Sequence, residues 1–380
     1  MIRKVKHVLA AAFLFIAIFP LYSQTKYICN YENDTSSIFA YWYNCKPDSV
    51  RMEALNLTEY FHSTLQVYGP VVADLFEVQV DVFLPGNVLA YTNTFTVPQK
   101  TSSENAPSEG PIYSVGIIDD SFRIMATVDQ LKADPEMIKV SIHASGKSLE
   151  KTIWPTYHKI YGYMTDFQNK PLKSFILIQP DGFEDASFVW SDENGYYEIS
   201  LPERIYNTFY VNDGNYKSTT LEAWSWHMIV DKDQRLDYKI GTGEVYNLNV
   251  WLNNGGFDTM FISFRPMVLM NKDDENKTLM INDKNFKWID IAPRLDIKDF
   301  TITINGQETE IYSIQPYMET GEEYAMNAYL IQVRQLSPTF GKQTIMVEYN
   351  KTEEKDSKPV QQSSMGYFQF FVNYAGESAF

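Results

Sequence analysis

The histidines are the first residues that could do chemistry in this sequence, because histidine is a common zinc ligand and general base. Beyond the first 24 residues there are four, in the contexts HSTL at His62, HASG at His143, HKIY at His158 and HMIV at His227. None has the His-x-x-Glu or His-Glu-x-x-His spacing of a zinc peptidase. A Gly-x-Ser-x-Gly turn and a glycine-rich phosphate loop are also absent. The sequence therefore predicts that the protein is not an enzyme.

Carboxylates are the second candidate chemistry, either as calcium ligands or as an acid–base pair. The segment VDKDQRLD places Asp231, Asp233 and Asp237 just after a predicted strand. Calcium binds about six to eight oxygen atoms, and this spacing is not that of an EF-hand. We therefore treat calcium as a possible ligand here, with a solvated loop as the alternative, and we expect no other cofactor. With 48 acidic residues in the chain, a dispersed pair for glycoside hydrolysis cannot be selected by spacing.

Three tryptophans could form a stacking surface for sugar rings. In LEAWSWHMIV, Trp224 and Trp226 are two residues apart, so both side chains point to the same face of a strand. Trp251 lies on a neighbouring predicted strand and could extend that surface. If the face is exposed, the rings would bind a glycan. If it points inward, they are core residues, which is the more common role of large apolar rings.

The first residues and the two cysteines indicate an exported protein. MIRKVKHVLAAAFLFIAIFPLYSQ has a basic start and an apolar run too short to span a bilayer, as in a signal peptide over residues 1–24. Outside the cytosol, Cys29 and Cys45 would most simply form a disulfide. It would stabilise the N-terminal segment by about 3 kcal/mol. We expect a periplasmic, cell-surface or extracellular protein with no membrane span after signal cleavage.

The charge of the chain restricts its partners. The formal net charge is −16, and loss of residues 1–24, which hold three basic and no acidic residues, changes it to −19. So acidic a chain repels nucleic acids and anionic membrane surfaces. We therefore expect no nucleic-acid partner, and a glycan or another surface protein as the class of ligand.

Short β-branched and aromatic segments between turn residues predict an all-β fold of tandem antiparallel sandwiches. Clear strand patterns are LFEVQVDVFL (75–84) and MIKVSIHAS (137–145), whereas residues 51–66 have the best helical spacing. The polar loops divide the chain into a signal peptide (1–24), an N-terminal segment with the disulfide (25–69), a first sandwich (70–155), a second sandwich (156–270), a linker (271–295) and a third sandwich (296–380).

A specific motif occupies the second block. It runs from YGYMTDFQNKPLKSFILI to SFVWSDENGYYEISLP. Seven of its positions carry a family pattern, namely Gly162, Asp166, Pro171, Leu172, Asp192, Gly195 and Tyr197. On these residues, 159 to about 212 resemble the carboxypeptidase regulatory-like family, a transthyretin-like domain. The resemblance implies a seven- or eight-stranded sandwich without a catalytic role. The flanking blocks resemble immunoglobulin-like domains in general pattern.

The turn SDENG (191–195) within this motif could be an ion site or the tip of a hairpin. Gly195 can supply the positive φ that a tight hairpin needs, and Asp192 and Asn194 suit the polar turn around it. We predict a hairpin.

Together these patterns favour a non-catalytic binding or structural module at the bacterial cell envelope. Two alternatives stay open. One is a carbohydrate-active enzyme, which two carboxyls facing across an aromatic-lined cleft would favour. The other is a subunit of a surface fibre or adhesin that pairs through exposed strand edges, which concentration-dependent oligomers would favour.

Overall fold

The structure, a computed structural model, consists of β-sheets packed face to face. It describes residues 38–45, 63–98, 113–118, 121–144, 146–253, 257–269, 277–321, 323–336, 340–355 and 358–372. Three β-sandwiches follow one another along the chain, each with its own buried apolar cluster. The predicted all-β fold of tandem sandwiches is confirmed. Within the described residues, no helix is long and apolar enough to cross a membrane.

The first sandwich packs two four-stranded sheets, of orders β1-β2-β6-β5 and β4-β3-β7-β8. Its strands are β1 (Phe39–Tyr43), β2 (Ser63–Pro70), β3 (Leu75–Leu84), β4 (Val88–Pro98), β5 (Tyr113–Ile118), β6 (Ser121–Val128), β7 (Met137–Ala144) and β8 (Lys147–Ile153). Alternation along β3 buries Phe76, Val78 and Val80, as the period of two in its sequence predicts.

This sandwich begins earlier in the chain than the predicted boundary at residue 70. Strands β1 and β2 pair with each other, and β2 pairs with β6. The residues 63–66 that we placed at the end of a helix are therefore strand, because Leu65 and Val67 alternate into the core. The rest of that predicted helix, 51–62, lies outside the described residues.

The second sandwich contains eight strands. They are β9 (Tyr157–Asp166), β10 (Phe175–Gln179), β11 (Ser187–Trp190), β12 (Tyr196–Pro202), β13 (Arg204–Asn212), β14 (Ala223–Val230), β15 (Gln234–Arg235) and β16 (Tyr238–Ile240). The turn before β12 is a tight hairpin tip. Gly195 has φ of 78°, and the Asp192 carboxylate accepts hydrogen bonds from the backbone N–H groups of Asn194 and Tyr196, both at 2.8 Å.

The residues between β15 and β16 pack directly against the backbone of β9 at Gly162. The backbone N–H of Leu236 donates to the Tyr161 carbonyl at 2.8 Å, and the buried Tyr197 hydroxyl donates to the Leu236 carbonyl, also at 2.8 Å. A Cβ atom on Gly162 would overlap that same carbonyl oxygen. Only glycine therefore lets the two backbones approach so closely.

We predict that Gly162→Ala lowers the free energy of unfolding by about 2 kcal/mol, because the backbone of β15 and β16 must shift to admit a methyl group. Urea denaturation of the purified chain measures this change. Gly116→Ala is the matched control, since a Cβ at Gly116 meets nothing within 4 Å. Equal stabilities of the two variants would contradict the prediction.

The third sandwich begins at residue 243, before the predicted linker. Its strands are β17 (Gly243–Leu252), β18 (Thr259–Val268), β19 (Thr278–Ile281), β20 (Lys284–Ile289), β21 (Phe300–Ile304), β22 (Gln307–Glu308), β23 (Ile311–Thr320), β24 (Tyr324–Arg334), β25 (Gly341–Lys355) and β26 (Lys358–Val372), with a 3-10 turn at Ile297–Asp299.

Strand pairing corrects two predicted boundaries here. The sequence pattern groups residues 243–268 with the second sandwich, yet β18 pairs with β24 and β17 pairs with β18. Residues 278–289, which lie in the predicted linker, form the hairpin β19–β20 of the same sheet. Local patterns identify strands well, but the pairing partner depends on residues far away in the chain.

The second and third sandwiches share one eight-stranded sheet, of order β11-β10-β13-β14-β26-β25-β21-β22. Strands β14 and β26 pair in parallel, with Trp226 opposite Phe368. One face of this sheet, including Met228 and Val230, packs against β9, β12 and β16. The opposite face, including Trp226 and Phe368, packs against β17, β18 and β24. The two sandwiches are therefore fused through a common sheet.

The Gln369 side chain of β26 forms hydrogen bonds that link three segments at the end of the β14–β26 pairing. This side chain is fully buried. Its Oε1 accepts from the Ile229 N–H at 2.8 Å, and its Nε2 donates to Gln234 Oε1 at 2.8 Å and to Thr344 Oγ1 at 3.0 Å. A buried amide bonded in this way fixes the geometry of the join.

Candidate functional site

Trp224 and Trp226 lie in the interior. They are 4% and 9% exposed, and their rings stack at 5.3 Å between centroids. Both rings also make edge contacts with Tyr246 of β17, at 5.4 and 5.2 Å. Trp251 is 44% exposed and stacks instead on Phe261. The structure thus does not bring the three rings into one exposed platform; two of them pack where the second and third sandwiches meet. We call this contact between β14 and β17 the seam.

The three aspartates proposed as calcium ligands turn to different partners. Asp231 pairs with the Lys342 ammonium. Asp233 accepts a hydrogen bond from the Lys159 backbone N–H at 2.8 Å. Asp237 accepts from the Tyr163 backbone N–H at 2.9 Å and pairs with a neighbouring arginine. Among the described residues, no three acidic, histidine or cysteine side chains gather as a metal site would require.

Cys45 is buried beside Phe175, Phe188 and Trp190. As a thiol it would ionise poorly, because burial raises its pKa to about 12. Its proposed partner Cys29 lies outside the described residues, and so does the signal peptide. The disulfide and the export signal therefore stay predictions.

A pair of buried carboxyls, which we did not select from the sequence, lies at the seam. Glu222 immediately precedes β14 and Glu244 is the second residue of β17, and they are 5% and 4% exposed. Glu222 Oε1 accepts a hydrogen bond from the Tyr210 hydroxyl at 3.3 Å. Within the part of the chain that the structure describes, no group donates a hydrogen bond to Glu222 Oε2 if both carboxyls are ionised.

Burial raises the pKa of both carboxyls above the ordinary glutamate value. A hydrogen bond between the two side chains lowers the pKa of Glu222 and raises that of Glu244. Because burial disfavours the charged form of both side chains, the pair keeps one proton between its two carboxyls more readily than an exposed pair would. Two carboxyls in contact cannot both ionise without mutual repulsion, so they titrate as a pair.

A buried arginine fixes the junction between the first and second sandwiches. The Arg204 side chain, at the start of β13, is 4% exposed and pairs with Asp181 at 3.0 Å. Its guanidinium also donates to the Tyr43 hydroxyl at 2.9 Å and to Gln66 Oε1 at 3.2 Å, both in the first sandwich. The guanidinium lies 4.5 Å from the centre of the Tyr41 ring. Charge, hydrogen bonds and stacking therefore act at one contact.

Asp181 also forms a salt bridge with a second arginine at this junction. Arg123 of β6 pairs with Asp181 at 3.3 Å and with Glu184 at 2.5 Å. The Tyr68 hydroxyl also donates to Asp181. The Tyr206 hydroxyl donates to the Pro202 carbonyl four residues earlier at 2.7 Å, which is the geometry of a tyrosine corner. The corner positions the start of β13, and so it positions Arg204.

The sequence carried only a weak signal for these residues. Glu222 adjoins a strand of apolar and aromatic residues, and Arg204 and Glu244 lie at the starts of two other strands, where a charged side chain that enters the interior is unusual. That pattern marks a charge that enters the interior, but it does not identify the partner on a distant strand.

The comparisons with known proteins assign no family. No protein-family model and no curated protein match the chain. Among solved structures, BcpA, the major pilin subunit of Bacillus cereus, is 12% identical, over 56% of this chain and 69% of that chain, with a TM-score of 0.18. A complex of Dpr2 Ig1-Ig2 with DIP-Theta Ig1-Ig3 is 7% identical, over 81% and 94%, with a TM-score of 0.14. These scores are too low to carry an argument about function.

Proposed function

We propose that this chain is a non-catalytic module, structural or ligand-binding, that acts at the bacterial cell envelope. The observation that supports this most is the construction of its two junctions. Arg204 ties the first sandwich to the second, and a continuous sheet joins the second to the third. Sandwiches held in fixed orientations suit a protein that bears load or presents a surface. An enzyme with its catalytic cleft between domains commonly needs those domains to move.

The charged and aromatic residues at these junctions also support a non-catalytic role. A glycosidase needs two carboxyls that reach a substrate in a cleft. Glu222 and Glu244 are instead enclosed beside Trp224 and Tyr246. They are therefore poor candidates for direct contact with a sugar.

A subunit of a surface fibre or adhesin is the second candidate, favoured by an exposed strand. Within the described residues, β23 pairs only with β24, which leaves its other edge open over ten residues. Tyr312, Tyr317 and Met318 on this strand are exposed. Such an edge can accept a strand from another molecule, although Pro316 at its middle limits the length of pairing.

Export, the disulfide and a glycan or surface-protein ligand belong to the same proposal. The resemblance of residues 159–212 to the carboxypeptidase regulatory-like family supports it too, since that family accompanies secreted proteins without catalysing a reaction. The signal-like first 24 residues support an envelope location.

The test combines binding, turnover and protease resistance. We expect purified residues 25–380 to release no reducing sugar from a panel of polysaccharides, whether or not a polysaccharide retains the protein. Limited proteolysis should give no cleavage at residues 154–156 or 241–242. Trp154 is 64% exposed, but the Thr156 carbonyl accepts from the Glu203 N–H at 2.8 Å and the Gly241 carbonyl accepts from the Leu221 N–H at 2.9 Å, which fixes the backbone of both linkers. Release of sugar would refute the non-catalytic assignment. Early cleavage at either junction would refute the proposal that the sandwiches have fixed orientations. Light scattering over a range of concentrations separates the two candidates, since only the fibre subunit should form larger species.

A further inference from the structure

We propose that Glu222 and Glu244 share a proton that holds β17 against β14, so that the seam is a pH-responsive contact. Loss of this proton would place two negative charges in the interior and loosen the seam. The device is independent of what the protein binds.

Among the described residues, the donors to the pair are the Tyr210 and Tyr216 hydroxyls and the Glu222 backbone N–H, which are fewer than two ionised carboxylates can accept. The Tyr210 hydroxyl serves Glu222 Oε1 at 3.3 Å, and the Tyr210 oxygen in turn accepts from Asn212 Nδ2 at 2.9 Å. Within the described residues, none of these donors reaches Glu222 Oε2. One proton kept between the two carboxyls supplies a further donor, because a neutral carboxyl has an O–H group and a carboxylate has none. The shared proton completes the hydrogen bonding of the site.

The surrounding charges would compensate for ionisation of the pair only in part. The titratable and charged groups that face the pair, directly or through a neighbour, are Lys217 before β14, Tyr210 of β13, Tyr216, Tyr246 of β17, Arg265 of β18, Glu319 of β23 and Tyr349 of β25. Lys217 lowers the pKa of both carboxyls, but burial raises the pKa of each by more. Arg265 is engaged elsewhere, since it pairs with Glu319 at 2.9 Å and lies 5.0 Å from the centre of the Tyr246 ring.

The backbone beside Glu244 packs closely against the neighbouring strands. Gly243 lies against the Tyr349 hydroxyl, which donates to the Met267 carbonyl at 3.0 Å. Gly366 of β26 lies against the Trp224 carbonyl and the Val245 side chain. Repulsion between Glu222 and Glu244 therefore acts to move β17 away from the sheet.

Separation of β17 would also disturb two fluorescent side chains. Trp224 and Trp226 contact Tyr246, which is two residues after Glu244. Opening of the seam would expose these indoles to water. Tryptophan emission is therefore a local reporter of the proposed change.

The experiment measures melting temperature and tryptophan emission from pH 4.5 to 9 in the wild-type chain and in Glu244→Gln. Because both pKa values are raised by folding, the native chain holds more protons than the unfolded chain above the ordinary glutamate pKa. The pair's contribution to stability is therefore complete below that pKa and is lost as the pH rises through the folded pKa. We expect the wild-type melting temperature to fall over this range with a red shift in emission, and the Glu244→Gln profile to lack both.

Glu308→Gln, at an exposed position, is the matched control and should keep the wild-type profile. His227 adds a slope of opposite sign, because burial lowers its pKa and stability is lost as the pH falls through the ordinary histidine value. The difference between wild type and Glu244→Gln removes that contribution. Identical profiles for these two proteins would overturn the proposal.

An infrared measurement keeps the test valid if Glu244→Gln does not fold. At neutral pH the wild-type chain should show the C=O band of a protonated carboxyl that persists after exchange into heavy water. Absence of this band in the folded wild-type chain would refute the shared proton. Sugar release in the functional test would leave both of these measurements unaffected.

Discussion

Replacement of Arg204 by alanine is expected to lower the free energy of unfolding by about 3 kcal/mol, since removal of one partner from a buried ion pair leaves the other uncompensated. Asp181 keeps Arg123 and Tyr68 as partners, which limits the loss. The substitution also removes the donors to Tyr43 and Gln66. Urea denaturation followed by circular dichroism measures the effect.

Arg204→Ala should also open the first junction to protease. Residues 154–156 lie between β8 and β9, and we expect cleavage there in the variant but not in the wild-type chain. Lys139→Ala is the control, because it removes one partner of an exposed ion pair with Glu150, and such pairs contribute little. A stable, uncleaved Arg204→Ala protein would show that the junction does not depend on this arginine.

Replacement of Trp226 or Trp224 by alanine is expected to cost about 3–5 kcal/mol of unfolding free energy each, because each leaves a cavity the size of an indole ring in a packed interior. Both rings contact Phe183 and Tyr246 as well as each other. The two losses should not add, since the rings share these contacts. Thermal and urea denaturation of the single and double variants measure both effects.

Trp251→Ala provides the comparison for this series. Its ring is half-exposed and stacks on Phe261 at the outer surface of the third sandwich, so the variant should stay close to wild type in stability. If Trp224→Ala and Trp226→Ala were as stable as Trp251→Ala and instead lost binding to a polysaccharide, the rings would be a ligand platform after all.

The individual strands were predictable because their signal is local. The alternation in LFEVQVDVFL corresponds to β3 over Leu75–Leu84, since a period of two buries every second side chain whatever strand lies beside it. The hairpin at Gly195 was predictable for a similar reason, because few residues other than glycine adopt its φ of 78°.

The assembly of the strands was not predictable from such patterns. The residues of β17 and β18 look like a continuation of the second sandwich. Yet β17 pairs with β18, and β18 pairs with β24, whose residues lie about 65 to 75 positions later in the chain. Likewise, Glu222 and Glu244 are two among 48 acidic residues. Their contact exists because the β14–β26 pairing brings the start of β17 beside β14, and a single sequence does not contain that register.

The order in which strands join has a consequence for how the chain folds. β14 is complete at residue 230, but its neighbour β26 begins only at residue 358. Until β26 arrives, β14 presents an open edge with two tryptophans beside it, which is the kind of surface that associates with other chains. Closure of such a distant contact is entropically slow. The second sandwich thus depends for its completion on the last strand of the third, and both should acquire their final stability in the same step.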